Sequence, residues 1–410
     1  MRTVLVALAA TLTVAGCTSS ATTGRGSAAA PSSPAAPASS SASTSGATPA
    51  GSTTPPSTTP SATPPAGAGL PGGGPVPSGF TPVSATFVSA TQGWVLGTAP
   101  CTGVVCTSVL RTRDGGHSWQ GIPAPSATLG QPDSGRNGDV SVVRFATARD
   151  GWAGVGRLYS THDGGSTWQL RQLGPASSVV SNIETGGGYV FATVDGCPSQ
   201  GGNSCAASVQ VYASRTGLDQ WRAVSPAFGG GSGAAGLVVH GATWYLPTPT
   251  GISIGTGFTA PRRVSSPCAA DGRPVRPRPV LAVADASHLD ALCVGPGAAG
   301  SARWQLYGTV DGARTWVRAG GPYLGYSSVT GIADSTRGVL LVAAASGASA
   351  VFRTTDDGVS FQRASVIAPG GGVPWADLGF TTPTQAVVVS LDHGLYLSQD
   401  AGATFQPVAF

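Results

Sequence analysis

The chain of 410 residues contains no lysine and one glutamate, Glu184; all 22 of its basic residues are arginine, and charged residues make up 10% of it. A net charge of +4 is small for that length and gives no reason to expect nucleic acid as a partner. Several catalytic phrases are missing. There is no Gly-x-Ser-x-Gly, no His-Glu-x-x-His and no phosphate-cradling glycine loop. Beyond the first residues no apolar run is long enough to cross a bilayer as a helix. The cysteines do not come as paired Cys-x-x-Cys and no histidines cluster with them, which argues against zinc; no metal and no cofactor are expected.

What is present begins at the start of the chain. Met1-Arg2-Thr3 leads into an apolar stretch, Val4 to Val14, too short for a permanent span, followed by Ala15-Gly16-Cys17. Small residues directly before a cysteine resemble the bacterial lipobox. That resemblance implies that residues 1–17 are a lipoprotein signal peptide, that Cys17 carries a diacylglycerol, and that the rest is extracytoplasmic and tied to the membrane through that lipid. From residue 18 to 78 the chain is almost entirely Ser, Thr, Ala, Pro and Gly. Such a segment buries too little apolar surface to offset its chain entropy, so a disordered linker is predicted. Its typical reach would be roughly 40–50 Å.

Residues 79–410 repeat one phrase. It reads Thr112-Arg113-Asp114-Gly115-Gly116-His117-Ser118-Trp119, then Thr161 to Trp168 around Asp163. Later copies are Thr309 to Trp316 around Asp311, Thr354 to Phe361 around Asp356, and Ser398 to Phe405 around Asp400. A worn copy, Ser214 to Trp221, lacks the aspartate at its third position. The chemistry is that of a tight hairpin: Asp accepts from its own turn, Gly supplies positive φ, and the aromatic covers the turn. The phrase resembles the Asp-box, or bacterial neuraminidase repeat. The gap between Thr216 and Asp311 is close to twice a single repeat, so one unit is hidden there. Its strands are predicted around Leu237-Val238-Val239, Thr243 to Leu246 and Gly251 to Ile254. Seven repeats of four strands predict an all-β fold, a seven-bladed β-propeller of four-stranded antiparallel blades. A second phrase, Phe87…Gly93-Trp94 and Phe145…Gly151-Trp152, precedes the turns. The coupling of the two phrases is similar to the propellers of the photosystem II assembly and stability factor family.

If the repeated turn joins the third and fourth strands, the short first-to-second turns share its face. The long insertions, Pro123 to Asp139, Cys197 to Cys205 and Pro261 to Pro279, then share the other, which becomes the candidate binding face. Its candidate residues are Arg136, Arg262, Arg263, Arg273, Arg276 and Arg278, an anion site or a solvated loop. The six cysteines after Cys17 allow fifteen pairings. The pairs Cys101–Cys106, Cys197–Cys205 and Cys268–Cys293 are expected. His117 and His162 are expected to face solvent, and Trp94, Trp152 and Trp244 to pack.

Sialidase-like catalysis would need an arginine triad, a general acid/base, and a Tyr–Glu pair. Gly121-Ile122-Pro123 lacks the arginine of the sialidases' early motif, and Glu184 is predicted near the short-turn face. The expectation is a non-catalytic binding or assembly module for an envelope protein or glycan; the alternative is a sialidase-like or other glycoside hydrolase, which two aspartates would allow.

Overall fold

The computed structural model describes residues 73–130, 139–196, 208–229, 236–248, 251–269, 278–298, 301–319, 328–336, 338–345, 349–366, 375–390, 392 and 394–410. The expected leader with Cys17, and the linker up to residue 72, lie outside the described residues. The predicted fold is borne out: seven sheets of four consecutive antiparallel strands form a seven-bladed β-propeller. Blades 1 to 7 run Thr81–Ile122, Val142–Arg171, Val179–Ala223, Val238–Val264, Val280–Arg318, Ser328–Arg363 and Trp375–Pro407. The hidden unit is blade 4, with strands Val238–His240, Thr243–Thr248, Gly251–Thr256 and Arg262–Val264. The first strands of neighbouring blades touch in ring order, blade 7 meeting blade 1, so they line the central channel.

There is no single core. Each seam between adjacent blades has its own buried apolar cluster, as between Phe191 and Val211 of blade 3 and Leu237, Trp244 and Leu246 around blade 4. A blade alone would leave both faces wet, so burial is gained only by stacking around the ring. The second phrase supplies part of the packing of blades 1 and 2. A Cβ on Gly93 would sit 2.4 Å from the Phe87 ring, and one on Gly151 2.5 Å from that of Phe145. Trp94 then stacks on Phe145 of the next blade at 3.9 Å with 2° between ring planes. Trp94, Trp152 and Trp244 are fully buried.

The repeated turns join third and fourth strands, and in five copies they share one hydrogen-bond circuit. Thr112, Thr161, Thr309, Thr354 and Ser398 each donate a hydroxyl to the aspartate two residues on, at 2.7–2.8 Å. The same aspartate accepts the backbone N–H four residues later, at 2.9 Å in every copy. The residue after the aspartate has positive φ, whether Gly115, Gly164, Gly312, Asp357 or Ala401. In blades 1, 2, 5 and 7 its N–H bonds to a carbonyl of the first-to-second turn, as Gly115 does to Thr91. Position five is tight against the preceding blade. A Cβ on Gly165 would stand 2.7 Å from Ile122 Cδ1, at a φ of 94°. Each turn is therefore both a hairpin cap and a lock on its neighbour.

The ring closes without a shared sheet. Blade 1 has its own four strands, and blade 7 has its own four with Ser365–Val366 paired along the outer one. Their seam packs Phe80, Val95, Leu110 and Trp119 against Val387, Leu395 and Leu397. Phe410 closes on Phe80 at 5.0 Å and on Trp119 at 5.5 Å. Ahead of the expected boundary at residue 79, Gly74 already exchanges two backbone hydrogen bonds with Gly121 on blade 1's outer strand.

Candidate functional site

Three places gather charge or concavity. The first is the channel. Arg144, on the first strand of blade 2, directs Nε to both oxygens of Glu184 in blade 3, each at 3.2 Å. Its Nη1 and Nη2 donate to Asp377 of blade 7 at 3.1 and 3.3 Å, and Nη1 also donates to Ser84 of blade 1 at 3.2 Å. Four blades are thus tied by one guanidinium. Burial raises the Glu184 carboxyl, and the facing Arg144 opposes that rise. The two carboxylates hold the Arg144 proton firmly despite its burial.

The second is the face that carries the repeated turns. His162 does not face solvent: it is half-buried, with Nδ1 2.9 Å from Asp150 and Nε2 2.8 Å from Asp219. The reason lies in the worn copy. Its aspartate, absent from the third position, reappears as Asp219 in a positive-φ conformation and reaches back into blade 2. There it also accepts from Ser160 at 2.6 Å, Arg171 Nε at 2.8 Å and Trp152 Nε1 at 3.3 Å. Hydrogen bonds to Asp150 and then Asp219 raise His162 to about 9. Burial pushes Asp219 up, but the bonds from His162 and Ser160 outweigh it and hold the carboxyl well below the usual range. At the seam of blades 5 and 6, burial raises Asp290 to about 7, with Asp357 adding to the effect. Asp334 rises further from the same two causes, burial first and then Asp290 and Asp357. Among the described residues no group of three His, Cys, Asp or Glu is placed to hold a metal ion.

The third is the opposite face, which carries the second-to-third turns and the crossovers. Cys101 and Cys106 staple a hairpin tip whose Val104 and Val105 are 63% and 71% exposed. A second disulfide, Cys268–Cys293, ties the blade 4–5 crossover to blade 5. Cys197, Cys205, Arg136, Arg273 and Arg276 lie outside the described residues. Arg278 borders this face near Asp195 and is desolvated by burial. Arg262 and Arg263 belong to the fourth strand of blade 4. Arg262 donates to Gly312 O, in the repeated turn of blade 5, at 2.9 Å, and Arg263 stacks over Phe228 at 5.2 Å. The described candidate arginines therefore do not converge on one site. Between blades 2 and 3 this face opens a cavity of about 410 Å³, bordered by Arg157, Leu170 and Ser178. The sequence offered one signal for it: the blade 2 hairpin turns through Gly154-Val155-Gly156, with none of the long insertion found in blade 1.

No protein-family profile and no curated protein sequence matches the chain. Solved structures do. YCF48 from Cyanidioschyzon merolae superposes with a TM-score of 0.53 at 16% identity, over 80% of this chain and 98% of that one. The fold is that of the YCF48 propellers. A structure described as YCF48 bound to D1 peptide gives 0.51 at 18% identity, over 79% and 95%. The propeller domain of the trilobed protease from Pyrococcus furiosus, described as having an open velcro topology, gives 0.50 at 7% identity, over 81% and 98%. At these identities the likeness concerns the fold.

Proposed function

We propose that this chain is a lipid-anchored extracytoplasmic propeller that binds or helps assemble an envelope protein or glycan without catalysing a reaction on it. Its turns are Asp-boxes used structurally, and the lipid on Cys17 holds it to the membrane while the linker carries it outward. The observation that carries the reading is the state of the channel. Among the described residues one arginine lines it, and that arginine is divided between Glu184, Asp377 and Ser84. A glycosidase needs carboxylates free to give and take protons at a substrate, and a sialidase needs several arginines converging on a carboxylate. In the channel Arg144, Glu184 and Asp377 satisfy one another. The repeated turns are likewise closed circuits, with each aspartate committed to its own hairpin. Two disulfides fit an oxidising compartment. YCF48 has been seen with a peptide, which favours a polypeptide partner for a chain of the same fold.

The test has two arms on the full chain. Cys17→Ala should move the protein from the membrane fraction to the soluble one, and unchanged retention removes the anchor from the reading. Saturable co-sedimentation with isolated envelope material, together with no turnover of a panel of aryl glycosides, is expected; turnover that is lost in Glu184→Gln would establish the hydrolase instead.

A further inference from the structure

The cavity between blades 2 and 3 has the features of a built site. The second-to-third hairpin that borders it is short, Gly151–Thr161, where blade 1 has Gly93–Thr112. Its turn holds Val155 at a φ of 75°, beside Gly156 at 97°. A β-branched residue in the left-handed region is strained, and such strain persists only where its surroundings impose it. The imposing contact is visible. Gly156 exchanges two backbone hydrogen bonds with Val180 on the first strand of blade 3, at 2.7 and 3.0 Å. The next residue, Arg157, is thereby fixed at the cavity mouth, exposed and without a partner among the described residues. Arg171, also on the wall, is engaged by Asp219 and Ser160. Arg157 is therefore the cation the cavity has to offer.

The remaining lining has a matching character. Leu170, 55% exposed, supplies the apolar surface of the wall, with Leu158, Leu173 and Val180 buried behind it. Strand Gln169–Arg171 adds the last element. It is the outer edge of its sheet, with no strand on its far side among the described residues. Blade 1's outer strand is covered by Gly74 and blade 7's by residues 365–366. An unpaired edge accepts an extended peptide through main-chain hydrogen bonds.

We infer that this cavity binds an extended polypeptide segment, seating an apolar side chain against Leu170 and a carboxylate on Arg157. The carboxylate belongs to a chain terminus or to an acidic side chain. This deepens the binding-module reading and rests on it. Three fluorescein-labelled probes separate the cases: Gly-Ser-Val-Leu-Leu as the free acid, the same peptide amidated, and the amidated peptide with Glu in place of Ser. Fluorescence anisotropy on the full chain should show at least one carboxylate-bearing probe bound roughly tenfold or more tightly than the neutral amide. The probe that wins names the source of the carboxylate. Arg157→Gln should abolish that preference, and Leu170→Asp should weaken every probe. Arg157 makes no contact that folding needs, so an unchanged melting curve for Arg157→Gln separates lost binding from lost structure. Equal affinity for acid and amide, binding indifferent to Arg157→Gln, or no binding of any probe would overturn the inference. Envelope co-sedimentation that survives Arg157→Gln would refute this site and leave the binding-module reading standing.

Discussion

Replacing His162 by Gln removes the one titrating group in the blade 2–3 network whose ionisation falls in an accessible pH range. In the folded protein its imidazole is raised to about 9 by the facing carboxylates of Asp150 and Asp219, against an ordinary value of 6.5. Each tenfold gain in proton affinity is worth about 1.4 kcal/mol, so the protonated ring contributes about 3 kcal/mol to stability. The group's affinity for its proton is raised on folding. Below pH 6.5 folded and unfolded chains are both protonated and the full contribution is present. Between 6.5 and 9 the unfolded chain releases the proton while the folded one keeps it, and the contribution drains away. Above 9 it is gone. Urea unfolding of the parent from pH 6 to pH 10 should lose about 3 kcal/mol more than His162→Gln over the same range, with the steepest fall between about 7 and 8.5. The ring is 22% exposed, so solvent screening is incomplete and the effect should survive moderate salt. Parallel pH curves for parent and variant, or an imidazole that titrates near 6.5 by NMR in the folded protein, would refute the argument.

Arg144→Met leaves Glu184 and Asp377 without their shared cation and should cost about 3–5 kcal/mol at neutral pH by urea unfolding; the triple variant with Glu184→Gln and Asp377→Asn should recover most of it, and a single-variant loss below about 1 kcal/mol would contradict the channel description. Opening the stapled hairpin with Cys101→Ser and Cys106→Ser should lower stability by about 2 kcal/mol through unfolded-chain entropy, read as a drop in the denaturation midpoint. Phe410→Ala removes two ring contacts at the closing seam and should cost about 1–2 kcal/mol while increasing amide exchange in strand Leu395–Ser398 and at Phe80 before exchange rises elsewhere; uniform exchange would mean the seam is no weaker than the other six.

The repeat was readable because its bonds are local. Thr161, Asp163 and Thr167 lie within one turn, so the hydrogen bonds that fix the hairpin join residues that are neighbours in the chain. Seven such units with apolar strands between them can bury their faces only as a ring, and fold class follows from period and pattern. The channel was not readable in the same way. Arg144 meets Glu184 across 40 residues and Asp377 across 233, and nothing in the sequence near any of the three marks the others. The seam closure is similar: Phe80 and Phe410 stand at opposite ends of the domain and meet only because the ring brings its last blade back to its first.

His162 shows the limit most clearly. A histidine at a variable position of a repeated turn is ordinarily solvated, and five of the six recognisable turns give no reason to think otherwise. The sixth departs from the repeat. By losing the aspartate that would have bonded within its own hairpin, it frees Asp219 to reach into blade 2, where His162, Arg171, Ser160 and Trp152 converge on it. The same seam holds the strained Val155, the short blade 2 hairpin and the open cavity on the other face. A regular repeat buys closure by making every seam alike. Chemistry that distinguishes one seam from the rest has to come from residues that break the pattern, and local rules fail first where a structure carries something besides its fold. In this chain the worn turn, the strained Val155 and the cavity meet at blades 2 and 3, so that seam, rather than the arginine-rich loop before blade 5, is where a partner should leave its mark.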